Sequence, residues 1–228
     1  MQIQRRSFIG TLGVGALAAS LEAQASATAD ANANANANAN ANANAKWDTS
    51  WAERVNRKHR AVFDSPEFSD GAGLVRAVNW KNEYQEVYGT APEDMSAVLV
   101  VRADGIWLAM NDAFWATYNV GEKRNFKDGA SGKFLAANPI ASASSAKSPK
   151  FADMNVPQFL ASGNVVLACH RAFGAVVAHV KKTDKIATDE EAEAKAVTYL
   201  LPGVILQPSG VFAVLRAQEA GCHYIMAS

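Results

Sequence analysis

Two short apolar runs limit what this chain can become. Ala97 to Arg102 reads Ala-Val-Leu-Val-Val-Arg, and Val165 to Cys169 reads Val-Val-Leu-Ala-Cys. Neither alternates apolar with polar positions, so neither suits a strand with one face in water. Continuous apolar runs of this length belong to strands covered on both faces, the habit of parallel sheets. Between such runs the spacing becomes helical. A helix over Gly71 to Tyr88 gathers Leu74, Ala77, Val78, Tyr84, Val87 and Tyr88 on one face, and Gly89 stops it. The β-then-α order recurs. Further strands are expected at His59–Phe63, which ends at Asp64, and at Val204–Gln207 and Cys222–Met226. Further helices are expected near Ile106–Asn119, Val156–Ala161, Arg171–Lys182, Asp189–Leu200 and Val211–Ala220. Phe173, Val176, Val177 and Val180 should face inward. The expected fold class is α/β: a three-layer, mainly parallel five-stranded sheet with helices on both faces.

That pattern starts only after residue 46. Gln4-Arg5-Arg6-Ser7-Phe8-Ile9 resembles a twin-arginine export signature, and the weakly apolar stretch Ile9 to Leu21 follows it. The stretch is shorter than the about 20 apolar residues a membrane-spanning helix takes. Ala23-Gln24-Ala25 and Ala25-Ser26-Ala27 are small-x-small cleavage candidates. Residues 1–27 therefore read as a twin-arginine signal peptide, which predicts a periplasmic or secreted location with no stable membrane span after cleavage. Export by this route is compatible with a cofactor and does not require one. Seven Ala-Asn pairs then fill Ala31 to Asn44. Alanine buries too little surface to offset the ordering of such a segment, so 28–46 reads as a low-complexity linker. Trp47 and Trp51 mark the start of ordered structure on a short helix, and 47–228 reads as one domain. A polar stretch near 121–155 interrupts it, and loops of that length are often lids, binding loops or disordered insertions.

Charge excludes one class of partner. The chain carries 22 Lys plus Arg and 22 Asp plus Glu. Arg5, Arg6 and Glu22 leave with the signal, so the mature chain has one net negative charge. No basic footprint is offered to nucleic acid.

In a parallel sheet, ligand and catalytic groups collect beyond the carboxyl ends of the strands. Asp64 and Ser65, Arg102 to Gly105, Cys169-His170-Arg171 and Pro208-Ser209-Gly210 are the loops expected there. Cys169 stands out. It ends a buried strand where a helix begins, and the positive end of a helix dipole favours a thiolate. The opposing reading is a small hydrophobe closing a core strand, a common place for free cysteine. The candidate set is Cys169 as a nucleophilic or sulfur-accepting thiol, with Asp64, Arg102, His170, Arg171 and Ser209 as binding groups. His170 adjoins Cys169, yet neighbouring strand residues point to opposite faces.

The same residues carry a family resemblance. Val165-Val166-Leu167-Ala168-Cys169, Leu200-Leu201-Pro202-Gly203-Val204, Pro208-Ser209-Gly210-Val211 and Arg216-Ala217-Gln218-Glu219-Ala220-Gly221 together resemble the DsrE/DsrF-like family. The likeness covers about 165–226, and over 59–118 only the order of elements agrees. It implies a DsrE/flavodoxin-like fold and a sulfur-relay role, with Cys169 at the position of the sulfur-carrying cysteine and a homo-oligomer as a possible form. Two features depart from the family. His170 and Phe173 make the segment bulkier, and an export signal is foreign to relay proteins that work in the cytoplasm.

Other residues offer less. His59, His170, His179 and His223 lack metal-ligand spacing, and no Cys-x-x-Cys is present, so neither a metal nor a cofactor is expected. Asp112 and Glu122 are carboxylates at helix edges, and Trp107 and Trp115 read as core. Cys169 and Cys222 should lie at opposite ends of parallel strands, beyond the about 7 Å between Cα atoms that a disulfide permits. Two functions stay open: sulfur handling at Cys169 with a small sulfur compound or partner protein, and non-catalytic binding of a small ligand or protein beneath the 121–155 stretch. An enzyme built on another residue has no support in the sequence.

Overall fold

A computed structural model of the chain describes residues 46–129, 131–143 and 153–228. The expected signal peptide and nearly all of the Ala-Asn linker lie outside these residues, as do parts of the 121–155 stretch. Residues 47–228 form one unit.

The chain runs through α1 (Trp51–Arg54), β1 (His59–Ser65), α2 (Ala72–Tyr88), β2 (Met95–Val101), α3 (Asp112–Tyr118) and α4 (Val120–Lys123). It continues through α5 (Val156–Ala161), β3 (Val165–Cys169), α6 (His170–Asp184), α7 (Asp189–Val197), β4 (Ile205–Gln207), α8 (Gly210–Glu219) and β5 (His223–Met226). The strand order is β4-β3-β2-β1-β5, and every neighbouring pair is parallel. The all-parallel arrangement follows from the two apolar runs: every residue of β2 and of β3 is buried.

This order dictates where the helices go. From β1 to β4 each step moves the same way across the sheet, and right-handed crossovers then place all connecting helices on one face. That face packs Phe63, Leu99, Val101, Val166 and Ala168 against Leu74 of α2, Phe114 and Trp115 of α3, Phe173 and Val176 of α6 and Ala192 of α7. The return from β4 to β5 runs the other way, so α8 crosses the opposite face. There Val62, Val98, Val100, Val165 and Leu167 meet Ala213, Val214 and Ala217 of α8 and Trp51 of α1. Each large apolar side chain sealed in this way contributes about 2 kcal/mol.

The expected helix over 106–119 is two elements. Ala103–Ala109 winds as a 3-10 helix, and α3 begins afresh where Asn111 Oδ1 accepts the Phe114 N–H. Asn is a strong N-cap because it offers the helix start an acceptor, and here it overrides the continuous apolar pattern. Trp107 and Trp115 are core, and Trp115 Nε1 donates to the Trp107 carbonyl. α2 ends as expected at Gly89, whose φ is +65°. Its last turn does not reach the core: Val87 and Tyr88 are exposed. α7 stops at Val197, three residues before the expected end. Trp47 precedes α1 rather than lying on it.

The 121–155 stretch is less open than its composition suggests. Asn138 is buried, and its Nδ2 donates to the carbonyls of Leu108 and Met110, at 2.9 Å to the former. Ile140 and Ala141 enter the core beside it.

Candidate functional site

The helices after β3 and β4 leave on opposite faces of the sheet. Between these strands, at their carboxyl ends, lies the switch point at which open parallel sheets form their ligand crevices. Cys169 closes β3, and its register partner on β4 is Gln207.

Alternation along β3 sends Val165 and Leu167 toward the α8 face, and Cys169 shares their parity along the strand. Cys169 is 6 % exposed and caps α6, its Sγ accepting the Ala172 N–H at 3.4 Å. Gln207 is fully buried on the same face. Its Nε2 donates to the Leu206 carbonyl at 3.0 Å and to the Asp48 carbonyl at 2.6 Å. Gln207 Oε1 and Trp51 Nε1 are buried polar atoms without a hydrogen-bond partner among the described residues. A buried acceptor in that state costs about 1–3 kcal/mol, so any group able to donate to it would be favoured there.

His170 goes elsewhere. Its Nε2 lies 2.8 Å from Glu193 Oε1 of α7, and its ring stands edge-on to Trp47 with centroids 5.0 Å apart. It therefore opens a groove of about 680 Å³ between α6 and α7, walled by Val177, Ile186, Lys181 and Lys185, and it belongs to that groove more than to the thiol. Trp47 and Asp48 thus reach both residues that flank Cys169, one following it in sequence and one beside it in the sheet. The segment forms a strap across the ends of β3 and β4.

A second cluster forms beyond β1 and β2. Asp64 is buried, and Arg102 holds it through Nε to Oδ1 at 2.7 Å and Nη2 to Oδ2 at 2.8 Å. The Tyr224 hydroxyl of β5 adds a third bond to Asp64 at 3.0 Å. The hydrogen bond to Asp64 raises the Arg102 pKa above its ordinary value, and Cys169 adds a smaller contribution in the same direction. Burial and the bond to Asp64 push the Tyr224 phenol upward as well. Gly210 completes the cluster, since a Cβ there would stand 2.6 Å from Arg102 Cβ. Ser209 is the N-cap of α8, its Oγ accepting the Phe212 N–H at 3.1 Å.

Of the six sequence candidates, Asp64 and Arg102 are paired and Ser209 caps the adjoining helix. Cys169 caps the helix that follows β3. His170 turns aside, and Arg171 is exposed. Sequence reasoning missed Gln207, Tyr224 and the Trp47–Asp48 strap. Gln207 carried a signal only as a polar residue ending an otherwise apolar strand. Tyr224 carried none, since its partner is 160 residues away.

Cys169 and Cys222 are both unpaired and stand at opposite ends of the sheet. Burial pushes the Cys222 thiol up to about 11, against a weaker opposing pull from Arg60. Among the described residues no group of three or more His, Cys, Asp or Glu is placed to hold a metal ion. No described helix is long and apolar enough to cross a membrane.

No family model matches this chain, and no curated protein matches it. Among solved structures it is similar to MTH1491 from Methanobacterium thermoautotrophicum, a protein of unknown function. The two share 17 % identity over 74 % of this chain and 98 % of that one, with a TM-score of 0.39.

Proposed function

We propose that this protein is exported by the twin-arginine route and carries sulfane sulfur on Cys169. The observation that carries the reading is the pairing of Cys169 with Gln207 at the switch point. The thiol sulfur already takes a backbone N–H at the start of α6, and its register partner presents a buried oxygen in want of a donor. A persulfide S–H is such a donor. The order of motifs resembling the DsrE/DsrF-like family supports the same residue, and Arg5-Arg6 followed by Phe8 supports export.

The chemistry needs no bound cofactor. The Cys169 sulfur attacks a terminal sulfur of an inorganic polysulfide, an S–S bond in the polysulfide breaks, and one neutral sulfur atom joins Sγ. The thiol proton passes to the new outer sulfur, giving a protonated persulfide, and the polysulfide leaves one sulfur shorter with both of its negative charges, so charge and electrons balance. The Trp47–Asp48 strap keeps the product from water.

Treating the protein with polysulfide and then with cyanide tests this. Thiocyanate should be released in a one-to-one ratio with protein, and Cys169→Ser should release none. Thiocyanate from Cys169→Ser equal to wild type would overturn the proposal.

A second reading rests on a depression of about 300 Å³ walled by Ile140 and Met154 of the 121–155 stretch and by Asp70 and Val75. It supports a ligand-binding module whose site excludes Cys169. Ligand binding that is unchanged in Cys169→Ser and lost in Ile140→Asp would favour it.

A further inference from the structure

At the amino end of the sheet, remote from Cys169, the edge strand β5 leaves one face uncovered. His223 and Ile225 are the register partners of Ala61 and Phe63, which pack toward α2. α2 does not extend over β5, and the space between them is a recess of about 250 Å³. Its walls hold Arg60, His59, His223, Tyr84, Trp80 and Lys58, and no carboxylate is among the lining residues. The lining thus combines cationic and aromatic side chains, with the Arg60 head drawn toward the end of α8.

The aromatic side is held in place. His59 stands edge-on to Tyr84 with centroids 5.3 Å apart, and Tyr84 packs on Trp80 at 5.4 Å. The cationic side is held as well. Arg60 Nη1 donates to the Ala220 carbonyl at 3.2 Å, which uses one of the guanidinium's five N–H groups. Gly221 permits this placement: its φ is +87°, and a Cβ there would lie 2.9 Å from Arg60 Cζ. A planar guanidinium with N–H groups to spare suits a carboxylate, which it can bind in bidentate fashion. Aromatic and imidazole rings around it suit a flat apolar body.

We infer that this recess is a binding site for a small aromatic carboxylate, whose anionic group meets Arg60 and whose ring packs among Tyr84, Trp80 and His223. The site is independent of the sulfur-carrying reading and lies at the other end of the strands.

The test uses the full chain and two probes, benzoate and inorganic phosphate, followed by Trp80 fluorescence and by the imidazole NMR signals of His59 and His223. Benzoate should saturate, shift both imidazole signals and bind tighter than phosphate. Arg60→Gln should weaken benzoate by about ten-fold, the loss expected for a charged hydrogen bond. His223→Ala should weaken it by about three-fold, and because His223 is exposed on an edge strand the fold survives that change. Cys169→Ser should bind benzoate as the wild type does. Unmoved imidazole signals, or full affinity in His223→Ala and in an Arg60→Gln that melts normally, would overturn the inference. Phosphate binding as tightly as benzoate would overturn its aromatic part.

Discussion

Arg102 grips Asp64 through two parallel bonds of 2.7 and 2.8 Å, joining the end of β2 to the end of β1 under the first turn of α8. The Asp64 side chain is 3 % exposed and that of Arg102 is 29 % exposed. Taking the arginine away strands a buried carboxylate, which costs far more than the pair itself contributes. Arg102→Met should therefore lower stability by about 2–3 kcal/mol. Asp64→Asn with Arg102→Met should recover part of that loss, as a double-mutant cycle in denaturant would read directly.

Gly210 sets the place of that arginine. A methyl group at 210 would collide with the Arg102 side chain, so Gly210→Ala must move either the guanidinium or the start of α8. The expected loss is about 1–3 kcal/mol, typical of overpacking at a tight contact. It should fall well below that in an Arg102→Ala background, and chemical denaturation of the four variants measures the difference.

The Trp47–Asp48 strap should govern access to the thiol. Trp47→Ala removes the ring that packs on His170 and should speed alkylation of Cys169 about five-fold, equivalent to about 1 kcal/mol of closure. His170→Gln removes the same ring contact from its other side while keeping the Asp48 carbonyl on Gln207, and should speed alkylation by a similar factor. Stopped-flow labelling in Cys222→Ser checks both.

Cys222 supplies a pH signature. Its folded pKa of about 11 stands above the ordinary 9.0, so the folded state holds the proton more tightly than the unfolded one. Stability from this group is complete below pH 9.0 and is lost as pH rises toward 11. The loss should be about 2–3 kcal/mol. Cys222→Ala should lack that part of the alkaline decline in denaturant titrations between the two pH values.

How much of this was legible beforehand depended on how local each cause is. β3 and α5 lay at their expected limits, because a full apolar run and a Pro-containing turn of helix are written within a few residues. The helix break at Asn111 is hidden in the sequence because its cap interrupts an apolar pattern that is itself unbroken. Val87 and Tyr88 are exposed because helix periodicity says nothing of where the sheet beneath runs out. The strand ends that carry Asp64, Arg102 and Cys169 could be placed from the β-then-α order alone. Gln207 facing Cys169 could not, since it depends on β4 pairing with β3, and Tyr224 meets Asp64 only because β5 returns to pair with β1.

The central claim is that Cys169 accepts a sulfur atom, and intact mass after brief polysulfide treatment tests it most directly. The wild-type chain and Cys222→Ser should each gain one sulfur, about 32 Da, removable by a thiol reductant. Cys169→Ser should gain nothing. An unmodified wild-type chain, or an equal gain in Cys169→Ser, would contradict the account.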